Sequence, residues 1–107
     1  MDGPLLTVVE TEIYLRSAER VMDAAEREAV TDYVAAHPQD GDVIPGSGGI
    51  RKIRVPLSGR GKRGGGRVLT FYVKDRAVYL LLVYAKADQE NPTPEQARVL
   101  RHLVKTL

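Results

Sequence analysis

Two apolar runs in the second half of the chain most strongly limit the folds that it can adopt. Residues 67–73 (R-V-L-T-F-Y-V) and 77–84 (A-V-Y-L-L-L-V-Y) are rich in β-branched, leucine and aromatic side chains, and three residues separate them. Runs of this length and composition predict two β-strands joined by a hairpin. Because the second run is apolar at both odd and even positions, we expect it to be buried on both faces, as a central strand is.

Two further strands are predicted upstream. Residues 51–55 (R-K-I-R-V) alternate basic and apolar side chains, which indicates a strand with one charged face shared by Lys52 and Arg54. Residues 5–9 (L-L-T-V-V) form a short β-branched run that predicts a first strand. Residues 58–66 are too long for a two-residue turn, so they predict a longer hairpin loop after the basic strand.

Two helices are predicted between the first strand and the basic one. The first begins at Thr11, where the composition changes to Ala, Glu, Arg and Leu and apolar residues follow near helical spacing. The second begins after Asp23, which can cap a helix, and Glu26 completes a capping box three residues later. This helix should end near His37, because Pro38 disfavours helical geometry at the residue before it.

A last helix is predicted from Thr93, which acts as its cap, with Pro94 at the first helical position and Gln96 completing a capping box. Residues 38–49 have the turn chemistry of a loop. The order is then β-α-α-β-β-β-α in a single domain, residues 1–107. We expect an α+β fold in which two N-terminal helices pack on one face of a small, mostly antiparallel, four-stranded sheet, with the last helix nearby.

The charges are strongly segregated along the chain. Residues 1–50 carry three Lys or Arg against ten Asp or Glu, residues 51–67 carry seven against none, and residues 68–107 carry six against four. Nine of the ten glycines lie within residues 41–66, beside the cationic segment. Crowded like charges repel one another unless an anion is bound, and glycine lets a phosphate backbone approach closely. The pattern predicts a nucleic-acid ligand, with a solvent-exposed charged hairpin as the alternative.

Other chemistries find little support in the composition. Without cysteine, thiol catalysis, disulfides and cysteine-based zinc sites are excluded. His37 and His102 lie far apart, and no metal-ligand cluster or nucleotide-binding fingerprint is present, so we expect no metal and no cofactor. No apolar run approaches the length of a membrane span and we find no targeting signal, which predicts a cytoplasmic protein without a membrane partner.

RNA would allow cleavage without a histidine pair. Its 2′-OH is a built-in nucleophile, so a protein can promote transesterification by stabilising the developing phosphorane charge and by helping two protons to move. Arginine holds a phosphate through a planar fork, and a lysine crowded by like charges gives up its proton more readily. Lys52 is then a candidate acid or base, with Arg54 and Arg67 as phosphate ligands.

Three segments closely resemble the HigB-type branch of the RelE toxins: residues 41–54 (G-D-V-I-P-G-S-G-G-I-R-K-I-R), 59–68 (G-R-G-K-R-G-G-G-R-V) and 79–86 (Y-L-L-L-V-Y-A-K). These proteins are the toxin halves of bacterial type II toxin–antitoxin modules. The resemblance implies a RelE-like fold and an mRNA interferase that cuts transcripts in the A site of the 70S ribosome and so inhibits translation. It also implies a cognate, HigA-like helix-turn-helix antitoxin, through which alone operator DNA would be bound.

The resemblance also implies roles for particular residues. Lys52 and Arg54 match the paired basic positions of the family's K-x-K/R strand, and Arg67 matches the arginine that opens the next strand. Lys86 matches the basic residue after the last strand and completes the catalytic candidates, while the general base stays open. Tyr84 lies in the Y-x-K pattern of this branch and could stack on an RNA base.

The other basic residues of the cationic segment are expected to bind RNA: Arg51, Arg60, Lys62 and Arg63. Counted along a regular strand, Arg67 shares a face with Leu69 and Phe71 rather than with Lys52, so we expect residues 64–66 to bend or bulge the strand start. Two other functions stay compatible with the sequence. One is a non-catalytic RNA- or antitoxin-binding module of the same fold, and the other is an interaction protein whose basic hairpin binds an acidic protein tail.

Overall fold

The computed structural model describes residues 6–59 and 63–107 of the chain. The predicted first strand therefore begins outside the described residues at Leu5. The elements follow in this order: β1 (Thr7–Glu10), α1 (Glu12–Val21), α2 (Ala24–Ala36), β2 (Asp42–Val43), β3 (Arg51–Val55), β4 (Gly66–Val73), β5 (Ala77–Ala85) and α3 (Pro94–Val104).

The five strands form one sheet in the order β1-β5-β4-β3-β2. Neighbouring strands are antiparallel except β1 and β5, which run parallel. The predicted α+β fold with a mostly antiparallel sheet is confirmed, but the prediction missed the short strand β2, whose Asp42 and Val43 pair with Lys52 and Arg51. A two-residue strand among turns has no pattern of its own, because its pairing with β3 is what makes it a strand.

Strand β5 lies between β1 and β4, and every residue of it except Tyr79 is buried. This confirms the predicted burial of the strand on both faces. Leu69 pairs with Leu82 but Thr70 pairs with Leu80, so Leu81 is an extra residue that shifts the register. Because of this bulge, Leu81 and Leu82 both belong to the same core cluster.

Helices cover both faces of the sheet. On one face, α1 and α2 contribute four buried residues to a core shared with the strands: Tyr14, Ala18, Val30 and Val34. On the other face, α3 packs Leu100 and Val104 against Leu69 and Leu82 of the strands. The last helix is thus part of a second core, and this explains why β5 is apolar at successive positions.

The predicted helix boundaries are confirmed where side chains set them. At α2, the Asp23 carboxylate accepts a hydrogen bond from the N–H of Glu26, whose own carboxylate accepts from the N–H of Asp23. Thr93 and Gln96 form the same reciprocal pair at α3. Helix α2 ends at Ala36, close to the predicted position. These boundaries are readable because capping depends on residues only three apart.

The hydroxyl of Tyr14 is expected to lower the free energy of unfolding. It is buried and has no hydrogen-bond partner in the part of the chain that the structure describes. A buried, unpaired hydroxyl costs about 1–3 kcal/mol, so Tyr14→Phe should keep or raise the free energy of unfolding measured in urea. As a control, Tyr84→Phe removes a hydrogen-bonded hydroxyl and should lower it by about 1 kcal/mol. A comparable loss for Tyr14→Phe would mean that its hydroxyl is paired in solution.

Candidate functional site

A row of three side chains crosses the sheet on its α3 side. Arg54 on β3 lies directly opposite Arg67 on β4, and Arg67 lies directly opposite Tyr84 on β5. Directly opposed residues project from the same face of a sheet, so the two guanidinium groups and the phenol share one surface. Lys52 lies two residues before Arg54 and projects from that face as well. The fold thus brings three predicted catalytic residues together.

The prediction of a bend or bulge at residues 64–66 is wrong. The register between β3 and β4 is unbroken up to Gly66, so Arg67 reaches the face of Arg54 with regular strand geometry. Arg67 does share its face with Leu69, as counting along the strand predicted. The prediction assumed that the apolar Leu69 and the cations of β3 lie on opposite faces of the sheet. In the structure, the α3 side of the sheet carries both the second core and the cations.

Arg67 is a buried cation, only 5% exposed. Its Nη1 donates to the carbonyl oxygen of Gly66 at 2.9 Å and to that of Gly64 at 3.4 Å. Its Nε lies 3.6 Å from Oε2 of Glu90, in the connection between β5 and α3. Two carbonyl groups and one carboxylate therefore fix the orientation of the guanidinium group, as a preorganised anion ligand requires.

Tyr84 holds the backbone of the same glutamate. Its hydroxyl donates to the main-chain oxygen of Glu90 at 3.1 Å. Burial raises the pKa of Tyr84 to about 12; the Glu90 carboxylate adds to this rise and Arg67 opposes it. The phenol is therefore a donor at neutral pH, and it positions the connection. Its ring is buried in the core on the α3 side, and its stacking on an RNA base stays a prediction.

The raised pKa of Tyr84 predicts a late step in the alkaline titration of the protein. We expect its phenolate absorbance to appear near pH 12, whereas tyrosine ordinarily titrates near 10. Tyr84→Phe should therefore remove amplitude from the late part of the absorbance curve, with circular dichroism confirming that the fold persists there. Amplitude lost near pH 10 instead would mean that the hydroxyl is exposed to water.

The connection between β5 and α3, residues 86–93, also contacts β3. The Lys52 Nζ donates to Oδ1 of Asn91 at 2.9 Å, although the two residues lie 39 positions apart in the chain. Neither Glu90 nor Asn91 was predicted from the sequence as a site residue. Polar residues in a short loop carry no local signal of their role, because their partners lie on distant strands.

Lys86 leaves β5 beside the loop that precedes Arg67. Its backbone N–H donates to the carbonyl oxygen of Gly65 at 3.0 Å. Its side chain packs against Gly64, where an added Cβ would lie 3.1 Å from the Lys86 Cδ. Gly64 also accepts a hydrogen bond from Arg67. Lys86, the fourth predicted catalytic residue, therefore lies close to Arg67, and it is exposed.

The predicted RNA-binding residues do not all lie on this surface. Arg51 alternates with the basic pair of β3, so it projects from the opposite face, where it is half-buried and its Nη1 donates to the carbonyl oxygen of Gly41 at 3.2 Å. Arg63 is exposed in the loop between β3 and β4. Arg60 and Lys62 lie outside the described residues.

A second set of cations lies on α3 and its C-terminal end. Arg98, Arg101 and Lys105 are all exposed, and their spacing places them on one side of the helix. Arg98 also lies 3.4 Å from the carboxylate of Glu95. These cations were not predicted as a binding surface from the sequence, although their helical spacing is visible there.

The described residues offer neither a metal centre nor a membrane segment. Within residues 6–59 and 63–107, no three histidine or acidic side chains come close enough to hold a metal ion. In the same ranges, no helix has the length and apolar character needed to span a membrane.

A comparison with protein families assigns nearly the whole chain to one family. Residues 8–107 match the family described as the RelE toxin of the RelE/RelB toxin–antitoxin system. The matched range includes every element from α1 to α3. This chain therefore belongs to the RelE toxin family, as the toxin of a toxin–antitoxin module with a cognate antitoxin as its partner.

Proposed function

We propose that this toxin is a ribosome-dependent mRNA endonuclease of the HigB-type branch, which inhibits translation by cutting transcripts in the ribosomal A site. The observation that carries the proposal is the direct pairing of Arg54 with Arg67, with Lys52 on the same face. Like charges placed opposite each other on a sheet are destabilising, so this arrangement favours a bound anion. A phosphodiester of RNA is such an anion, and arginine forks match its geometry.

In the proposed reaction, the 2′-OH attacks the adjacent phosphorus and the bond to the 5′ oxygen breaks. Arg67 and Arg54 stabilise the charge that develops on the non-bridging oxygens; the fixed guanidinium of Arg67 needs little reorganisation to do so. Lys52 and Lys86 carry the ammonium groups available for proton transfer. Tyr84 supports the site by holding the main chain of Glu90.

The proposed partners follow from this reaction. The mRNA and the 70S ribosome would be contacted by the basic loop that contains Arg63, together with Arg60 and Lys62, and by the exposed cations of α3. The antitoxin would be a HigA-like helix-turn-helix protein, and operator DNA would be bound through it. The reaction needs no metal ion or organic cofactor, and translating ribosomes place it in the cytoplasm.

The proposal is tested by translating a reporter mRNA on purified ribosomes with and without the toxin and mapping transcript ends by primer extension. New 5′ ends within A-site codons are expected only when the toxin is present. The same mRNA without ribosomes serves as the control, and equal cutting there would remove the ribosome from the mechanism. A toxin that binds ribosomes but leaves the message intact would instead be a non-catalytic binding module.

A further inference from the structure

The connection between β5 and α3 places a carboxylate among the cations of the site. The Oε2 atom of Glu90 lies 3.6 Å from the Nε of Arg67, and its main-chain oxygen accepts the hydroxyl of Tyr84 at 3.1 Å. The next residue, Asn91, accepts from Lys52 at 2.9 Å. Contacts from β4 and β5 thus hold Glu90 beside Arg67, and β3 holds the next residue of the connection. Its side chain is 54% exposed, so a substrate can reach it.

Among the side chains of Lys52, Arg54, Arg67, Tyr84 and Glu90, that of Glu90 is best suited to accept a proton. A guanidinium group has donors only and no acceptor, which excludes the arginines of the site as the base. The phenol of Tyr84 keeps its proton because its pKa is raised. A lysine ammonium must first lose a proton before it can accept one, whereas an ionised carboxylate accepts one directly.

We propose that Glu90 is the general base of RNA cleavage, a role that rests on the proposed endonuclease function. Its carboxylate takes the proton of the 2′-OH while the 2′ oxygen bonds to phosphorus. The bond from phosphorus to the 5′ oxygen then breaks, and that oxygen takes a proton from Lys52. The products are a 2′,3′-cyclic phosphate and a 5′-hydroxyl end, and both side chains return to their starting protonation by exchange with water.

The contacts of Glu90 fit this role. Arg67 lies beside the carboxylate and is also the proposed phosphate ligand, so one guanidinium group aligns the base with the reacting phosphorus. Lys52 is held at the neighbouring residue through its hydrogen bond to Asn91. The proposed base therefore lies in this connection, and the proposed acid is held by the next residue of the same connection.

The main test is Glu90→Gln, which keeps the shape of the side chain and an oxygen for Arg67 but cannot take a proton. Cleavage on ribosomes should slow by about 10²–10⁴-fold, while ribosome binding and thermal stability stay close to those of the wild type. The matched control is Glu95→Gln, which removes the same charge from a carboxylate 71% exposed and paired with Arg98 on α3. This control should cut at the wild-type rate, and Glu90→Asp should recover part of the lost activity.

A modified substrate separates the base from the acid. When sulfur replaces the bridging 5′ oxygen, the leaving group departs without a proton, so the defect of Lys52→Ala should be largely repaired. The defect of Glu90→Gln should persist, because the 2′-OH must still be deprotonated. Repair of Glu90→Gln by this substrate would assign the carboxylate to the leaving group and overturn the proposal.

The remaining outcomes distinguish the two proposals. If Glu90→Gln cuts as fast as Glu95→Gln or faster, the carboxylate competes with phosphate at Arg67, and the base role is overturned while the endonuclease stands. If the wild type cuts no message, both proposals fail. If Glu90→Gln does not fold, Glu90→Asp decides: slower cleavage with unchanged ribosome binding supports the base role, and unchanged cleavage contradicts it.

Discussion

Replacing Arg67 by lysine should slow mRNA cleavage on ribosomes by about 10²–10³-fold with little change in ribosome binding. Lysine keeps the positive charge but lacks the planar fork, so it cannot hold a phosphate while donating to Gly66 and facing Glu90. The loss corresponds to about 2.7–4 kcal/mol of transition-state stabilisation, as for other preorganised donors. The measurement is single-turnover primer extension at saturating toxin.

The control for this variant is Arg76→Lys. Arg76 is exposed in the turn between β4 and β5, at the opposite end of these strands from Arg67, so the same chemical change should leave cleavage intact. Thermal unfolding of both variants is needed because Arg67 is buried. Cleavage at the wild-type rate by a folded Arg67→Lys protein would contradict the role of Arg67 as the phosphate ligand.

The second large effect concerns the loop that leads into Arg67. Gly65→Ala should lower the free energy of unfolding by about 3 kcal/mol or more. Gly65 has a φ of +68°, and a Cβ added there would lie 2.5 Å from the carbonyl oxygen of Val55. Because this oxygen belongs to the main chain, the strand itself would have to shift. Cleavage should fall as well, since the Gly65 carbonyl anchors the N–H of Lys86.

Gly46→Ala provides the matched control for this substitution. Gly46 has a similar φ of +73°, but no atom lies within 4 Å of an added Cβ. Its replacement should therefore cost only the strain of a left-handed backbone, about 1–2 kcal/mol. Urea unfolding of the two variants measures the difference, and equal losses would show that the loop before Arg67 relaxes around the new side chain.

The prediction of the site from the sequence was partial. The alternation in residues 51–55 correctly placed Lys52 and Arg54 on one face of β3, because strand parity depends only on neighbouring residues. The position of Arg67 was misjudged, since the face it shares with Arg54 depends on the pairing of two strands. Arg51 was grouped with the other cations by its place in the chain, yet it projects from the opposite face.

The sequence by itself determined the local features of this protein. Capping residues three positions apart set the starts of α2 and α3, and the apolar run 77–84 determined a strand buried on both faces. These features could be predicted because each depends on interactions between residues close in the chain.

Only the tertiary structure decided how distant segments meet. It set the pairing of Arg54 with Arg67, the packing of α3 over the face that carries the site, and the contact of Glu90 with Arg67. None of these has a local pattern, because strand register and helix docking are selected by the joint packing of both cores. The cationic segment could thus be recognised from the sequence. The position of Glu90 beside the buried Arg67 could be seen only in the fold.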